Sequence, residues 1–291
     1  TRLAETYEEN LDGDGIDEES LTNRVEDYEG APEGVLVVTA GVDVQDDRLE
    51  LEIIGWGIEE ESWNLGYHVI HGDPGTKEVW QDLDDILETK IMHERGVELS
   101  IACACIDAGG HHAESVYLYT KSKQVQGRRV YAVRGYSHSW RPVVGKPSNN
   151  NSHRVKVFYV GTDTAKDTIF SRLKIDEEGA GYCHFSANLP DEYFKGLTSE
   201  KLVKRYAKGR TVKQYIKKTQ STRNEPLDCR VYGFAALKII KPNMPKVKLR
   251  FDKLTEKKPP PEHDDSPHNT TKGTSRTTKR GRRGSGFVNR W

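Results

Sequence analysis

The sequence predicts an α/β fold, a mixed sheet flanked by helices, and three features carry that prediction. Residues 35–44 and 99–106 are almost uninterrupted apolar runs, as strands buried on both faces must be. Residues 48–53 alternate instead, with Leu49, Leu51 and Ile53 on one face and Arg48, Glu50 and Glu52 on the other. Around these strands, apolar residues recur at the three-to-four spacing of helices.

In chain order, residues 1–34 are dense in acids and glycines and predict a connector, with a short helix only within 18–28. A calcium-loop reading of residues 10–17 fails, because taking Gly15 as the turn glycine puts Leu21 where a bidentate Glu belongs. Strands 35–44, 48–53 and 62–70 follow with short connections, which makes them an antiparallel meander. Pro74-Gly75 breaks the pattern, and Trp80, Leu83, Leu87 and Ile91 then define a helix with Gly96 as its expected C-terminal cap. The strand 99–106 ends at Asp107, before Gly109-Gly110 and a helix over 112–121. A strand at 129–133, an exposed loop at 142–152 and a strand at 155–160 come next. Thr164-Ala-Lys-Asp167 predicts a capping box for a helix ending at Leu173. A basic hairpin turning at Lys208-Gly209 precedes the last helix, 226–240. Residues 244–291 are expected to be a disordered basic tail, since 255–286 carry almost no apolar side chains.

Hydrophobic residues make up 35% and charged residues 31% of the 291, enough for a core with long polar segments attached. No apolar run reaches the roughly 20 residues of a membrane helix, so no membrane partner is expected. The net charge of −1 argues against a uniformly basic surface, yet residues 201–218 and the last fifteen are basic. Cys103, Cys105, Cys183 and Cys229 form no C-x-x-C pair, which predicts buried reduced thiols rather than disulfides. A zinc site from Cys103, Cys105, His111 and His112 lacks a second ligand pair at zinc spacing.

Three aspartates stand out. Asp43 and Asp107 end the two apolar strands, and Asp228 lies in the first turn of the last helix. Carboxylates at such positions are poorly solvated, and brought together they repel one another unless divalent cations lie between them. That pattern suits metal-assisted phosphodiester hydrolysis. A meander followed by two helix-linked strands is the ribonuclease H-like layout. In it the first and fourth strands lie side by side and parallel, bringing Asp43 and Asp107 together.

Five ordered phrases point to a family: residues 39–50, Gly55-Trp-Gly57 with Glu61-Ser-Trp63, Ile106-Asp-Ala-Gly-Gly-His111, Gly161-Thr-Asp-Thr-Ala-Lys-Asp167, and 224–232. Over about residues 35–240 the chain resembles the nuclease half of the large terminase subunit of lambda-type tailed phages. The resemblance makes residues 1–34 an acidic linker from an upstream ATPase domain, residues 35–243 the nuclease domain, and the host cytoplasm the place of action. The chain has no G-x-x-x-x-G-K-[ST] phosphate loop, so no motor is expected within it. The family implies an endonuclease cutting concatemeric viral DNA during packaging. It also implies two Mg²⁺ or Mn²⁺ ions on Asp43, Asp107 and Asp228, with Asp43 shared between them. Its implied partners are double-stranded DNA, a small terminase subunit, and a portal or procapsid reached through the tail that ends in Phe287 and Trp291. Pro226 stands where the family commonly has Ala, and proline is tolerated in a first helical turn.

The remaining expectations concern supporting residues. Arg134, Lys166, Arg210, Lys213 and Lys217 are the DNA-contact candidates, the last two on one strand face with Thr211 and Tyr215. His111, His112 and Glu225 are open as catalytic helpers, and Asp46 and Asp47 as turn residues. Two other classes remain: a DNA- and portal-binding module with negligible cleavage, and a resolvase or integrase of the same fold.

Overall fold

Val37–Val44 (β1) occupies the middle of a nine-stranded mixed sheet, which is why its side chains are apolar toward both faces. The computed structural model describes residues 8–10, 16, 18–136, 140–149, 153–207 and 210–256. On one side β1 pairs antiparallel with Arg48–Trp56 (β2), and β2 pairs antiparallel with Ser62–His71 (β3), the expected meander. The helix Glu78–Glu88 (α1) then leads to Ile101–Asp107 (β4), which pairs parallel with β1 on its other side. Ala113–Val125 (α2) connects β4 to the parallel strand Val130–Tyr136 (β5), and Lys156–Gly161 (β6) continues the parallel run. Thr162–Leu173 (α3) leads to Cys183–Ser186 (β7), parallel to β3. Across the sheet the order is Ser148–Asn149, β6, β5, β4, β1, β2, β3, β7, Val25–Glu26. Its core, β3-β2-β1-β4-β5, is the ribonuclease H-like layout.

Past Glu192–Leu197 (α4), the strands Glu200–Ala207 (β8) and Arg210–Lys217 (β9) form the expected basic hairpin outside the main sheet. Glu225–Ile240 (α5) then lies across β1, β2 and β4, with Leu227, Val231, Phe234 and Leu237 buried. Each such side chain contributes about 1.5–3 kcal/mol by leaving water. The approach is close because β1 carries Gly41 beneath the helix. A Cβ there would fall 1.9 Å from Cys229 O and 2.3 Å from Gly233 N. Thr39 Oγ1 donates to Gly233 O (2.9 Å) and accepts from Trp56 Nε1 (2.8 Å), fixing helix to sheet.

Several expectations change. The charged face of β2 is not solvated, because α5 covers it: Glu50 and Glu52 are buried, and Arg230 of α5 donates to Glu52 Oε1 at 2.6 Å. Ile91 is not in α1, which ends at Glu88. It starts the two-stranded turn Ile91–Met92 with Glu98–Leu99, and Gly96 serves that turn with φ +70°. The Thr164 capping box does not form either. The helix starts at Thr162 behind Gly161, and Thr164 Oγ1 donates to Arg141 O (2.6 Å).

The described part of residues 1–34 is more than a connector. Glu8–Asn10 pairs with β8, Leu21 is fully buried, and Val25–Glu26 adds an edge strand beside β7. Arg24 donates to Leu173 O (2.9 Å) and Cys183 O (3.1 Å), with its guanidinium 4.4 Å from the Tyr182 ring centre. His184 of β7 sits between Glu26 (2.7 Å) and Glu61 (3.0 Å) and stacks on Trp63. At the other end, disorder from residue 244 is overturned for Met244–Glu256 (α6), a helix that buries Met244, Val247 and Phe251. Phe251 meets His93, and Asp252 pairs with Arg95 at 2.8 Å. The expectation for residues 257–291, including Phe287 and Trp291, lies outside the described residues.

Candidate active site

Val42 of β1 is in register with Ile106 of β4, so the next residues, Asp43 and Asp107, end the two parallel strands side by side. Asp228 comes from the first turn of α5. All three line one open cleft of about 560 Å³, together with Gly109, Lys166 and Tyr232. A smaller hollow of about 260 Å³ lies at the opposite ends of β4 and β5, around Ile101 and Arg128, and has no acidic lining.

Asp43 is 5% exposed. Burial, then the charges of Asp228 and Asp107, hold its carboxyl well above the usual carboxylate range, against a hydrogen bond from Gln45 Nε2. Asp107 is also raised, chiefly by burial, and opposed by donation from Gly109 N (3.0 Å) and the Tyr232 hydroxyl. Tyr232 lies one turn beyond Asp228 on α5, so one helix face supplies both groups. Asp228 is pushed up to about 6, again first by burial, with the Lys166 ammonium pulling the other way. Its Oδ1 lies 3.4 Å from Lys166 Nζ, and its Oδ2 accepts from Asn224 Nδ2 at 2.8 Å.

Each aspartate is therefore turned to a donor of its own. Among the described residues, no three carboxylate, imidazole or thiol groups stand close enough to form a ready-made metal cage. Mutual repulsion favours this arrangement, since neighbouring carboxylates are better served by separate hydrogen-bond donors.

The other candidates divide. Lys166 is in the cleft but buried, bonded to both oxygens of Glu200 at 2.8 Å, so it presents no exposed ammonium to a phosphate. Arg134 is exposed beside the cleft and donates to Ala108 O (3.1 Å). Lys213 and Lys217 are exposed on β9, between them Tyr215 stacks on Phe170, and the Arg210 side chain lies outside the described residues. His111 is exposed in the cleft wall, 3.1 Å from Asp46. His112 starts α2 without a side-chain cap. Glu225 points away to Arg48 at 2.9 Å, yet its charge still acts on Asp43. The four cysteines are buried and free, as expected.

Sequence reasoning missed Glu200, Asn224 and Tyr232. Asn224 and Tyr232 each carried a legible signal, the four-residue spacing from Asp228, and Glu200 carried none.

Known proteins are similar to this chain in sequence. The sequence matches the family described as terminase large subunit gpA, endonuclease domain, over residues 1–249. It is 35% identical over 248 residues to the large terminase subunit of Escherichia phage lambda and 34% identical to that of Enterobacteria phage P21. Each alignment covers 82% of this chain but only 38% of the relative. Among solved structures, the HK97 bacteriophage large terminase is similar at 10% identity and a TM-score of 0.46, covering 79% of this chain and 44% of that one. The large terminase nuclease domain of bacteriophage SPP1 with bound Mn is similar at 9% identity and a TM-score of 0.37, covering 73% and 96%. Among the described residues no helix is long and apolar enough to cross a membrane. With a family match over most of its length and two relatives above 30% identity, this chain belongs to the terminase large subunit gpA endonuclease-domain family.

Proposed function

We propose that the chain is a metal-dependent DNA endonuclease that cuts concatemeric viral DNA during genome packaging. The observation that carries this reading is the meeting of Asp43, Asp107 and Asp228, from three separate elements, in one open cleft. Such a donor set fits Mg²⁺ or Mn²⁺: all three groups are hard oxygen ligands, burial raises the proton affinity of each, and Asp43 is pressed further by the charges of the other two. Two ions would be held, Asp43 contributing to both, Asp107 to one and Asp228 to the other. Bound there, the ions would supply an activated water and neutralise charge on the leaving oxygen, giving 5′-phosphate and 3′-hydroxyl ends.

The chain's own groups do the rest. Gly109 N–H and the Tyr232 hydroxyl hold Asp107 in place, and Asn224 with Lys166 holds Asp228. A Cβ on Gly110 would meet only Val44 O, at 3.8 Å, which leaves room for a sugar-phosphate backbone. Arg134, Lys213, Lys217 and Arg210 are proposed to contact phosphates and position duplex DNA without reading bases. A small terminase subunit would choose the site, the tail would dock on the portal or procapsid, and the work would occur in the host cytoplasm.

One observation favours a second reading. Because no three ligating groups stand converged, a DNA- and portal-binding module with negligible cleavage in isolation is also consistent. Supercoiled plasmid incubated with the chain and Mn²⁺, beside EDTA and Asp107→Ala controls, separates the two. Cleavage lost in both controls supports the nuclease, and intact plasmid shifted on a gel supports the binding module. Cleavage surviving Asp107→Ala overturns the assignment of the aspartates.

A further inference from the structure

Lys166 is the one cation among the residues that line the cleft. It is 7% exposed, and its ammonium bonds both oxygens of Glu200 at 2.8 Å while lying 3.4 Å from Asp228 Oδ1. Asn224 Nδ2 closes the unit from the other side, donating to Glu200 Oε1 (2.9 Å) and Asp228 Oδ2 (2.8 Å). Lys166 of α3 and Asn224 of the turn before α5 thus hold the Asp228 carboxylate by its two oxygens, and Glu200 of β8 bonds both of them. Asp43 and Asp107 differ, since their hydrogen-bond partners are neutral (Gln45, the Gly109 N–H and Tyr232), and Arg134, whose charge reaches Asp107, bonds Ala108 O instead.

We propose that Lys166 is a positioning residue whose ammonium takes the cation place at Asp228, and that a metal ion binding there must displace it. The inference rests on reading the cleft as a divalent-metal site. The two ions are then unequal. An ion on Asp43 and Asp107 meets only neutral donors and binds first. An ion at Asp228 competes with a fixed positive charge a few ångströms away and binds last, at higher concentration. Glu200 sets the strength of that competition, because it keeps part of the ammonium's attention away from Asp228.

Mn²⁺ titration of the full chain without DNA, by calorimetry and by manganese electron paramagnetic resonance, tests this directly. The wild type is expected to bind in a strong and a weak phase. Lys166→Gln is expected to move the weak phase to at least about tenfold lower Mn²⁺ and leave the strong phase in place. Lys166→Arg, which keeps the charge, is expected to stay near the wild type. Glu200→Gln removes an anion and leaves the ammonium wholly to Asp228, so its weak phase is expected to move the opposite way, to higher Mn²⁺. Those opposite directions are what a merely structural ion pair does not produce. If Lys166→Gln does not fold, Lys166→Met, of similar length and without charge, takes its place, because Glu200 also acts on Asp228 directly. A weak phase that moves in neither variant, or in the same direction in both, overturns the inference. A wild type that binds no Mn²⁺ overturns the metal reading along with it.

Discussion

Replacing Gly41 with alanine adds one methyl group at the tightest contact between β1 and α5. The added Cβ would lie 1.9 Å from Cys229 O, 2.3 Å from Gly233 N and 2.9 Å from Tyr232 C, all backbone atoms of the helix that carries Asp228. No side chain can rotate away to relieve this. Ordinary contact begins near 3.4 Å, so helix and strand must part by about 1.5 Å. Overpacking of this kind costs about 1–3 kcal/mol, and contact with backbone on both sides puts this case at or above the upper end. The functional cost is larger, since Asp43 lies two residues along the strand and Asp228 on the displaced helix. A misplacement of about 1 Å among reacting groups lowers rates by about a hundredfold. Urea unfolding and the initial rate of plasmid nicking in Mn²⁺ measure the two effects, with Gly145→Ala, outside the cleft, as a control that meets nothing closer than 3.5 Å. A Gly41→Ala protein with wild-type stability and nicking rate would refute the claim that this contact sets the spacing of the carboxylates.

Three further outcomes are expected. In the metal-free chain Asp228 sits near 6, above its ordinary value, so its contribution to stability is complete below about pH 4 and disappears as the pH rises through 6. The loss is of order 3 kcal/mol. Asp43→Asn removes a carboxyl that burial and the charges of Asp228 and Asp107 hold well above its usual range, so its stability advantage over the wild type should grow as the pH rises from about 4; a difference independent of pH in urea titrations contradicts this. Arg230→Met leaves Glu52 buried without its cation and should cost about 3–5 kcal/mol, only partly recovered in the double variant Glu52→Leu with Arg230→Met, because Asn64 Nδ2 and the Tyr193 hydroxyl then lose their buried acceptor. The pair Lys213→Ala with Lys217→Ala should weaken duplex binding for all sequences and lower the slope of log affinity against log salt by about 2. An unchanged slope would remove the hairpin lysines from the DNA interface.

The strands that position Asp43 and Asp107 were legible because strands buried on both faces must be apolar, and a carboxylate ending such a run has no packing reason to be there. Asp228 was legible through the apolar helix that follows it. Burial of Glu50 and Glu52 was not, because alternation reports which residues share a face and not what covers it. Their cover, α5 with Arg230, arrives about 180 residues later in the chain. Lys166 read as a surface cation for the same reason, its partner Glu200 being set by the packing of α3 against β8. Gly41 did carry a signal. A glycine inside an otherwise apolar strand marks close approach of another backbone. Met244–Glu256 escaped because only Met244, Val247 and Phe251 are buried among many charges, and its docking depends on His93 and Arg95 far back in the sequence.

The clamp at Arg24 and His184 has a mechanical consequence. Tension on the residues before Arg24 runs along Val25–Glu26, parallel to β7, so it loads that pair in shear rather than peeling bonds one by one. The guanidinium on Leu173 and Cys183, and the imidazole held between Glu26 and Glu61, resist sliding at this edge. Between the edge and β1 stand β7, β3 and β2, so a tug there is absorbed three strands away from Asp43. The cleft is thus shielded from force that enters at Val25–Glu26, whereas force on Glu8–Asn10 passes to β8, the strand that carries Glu200.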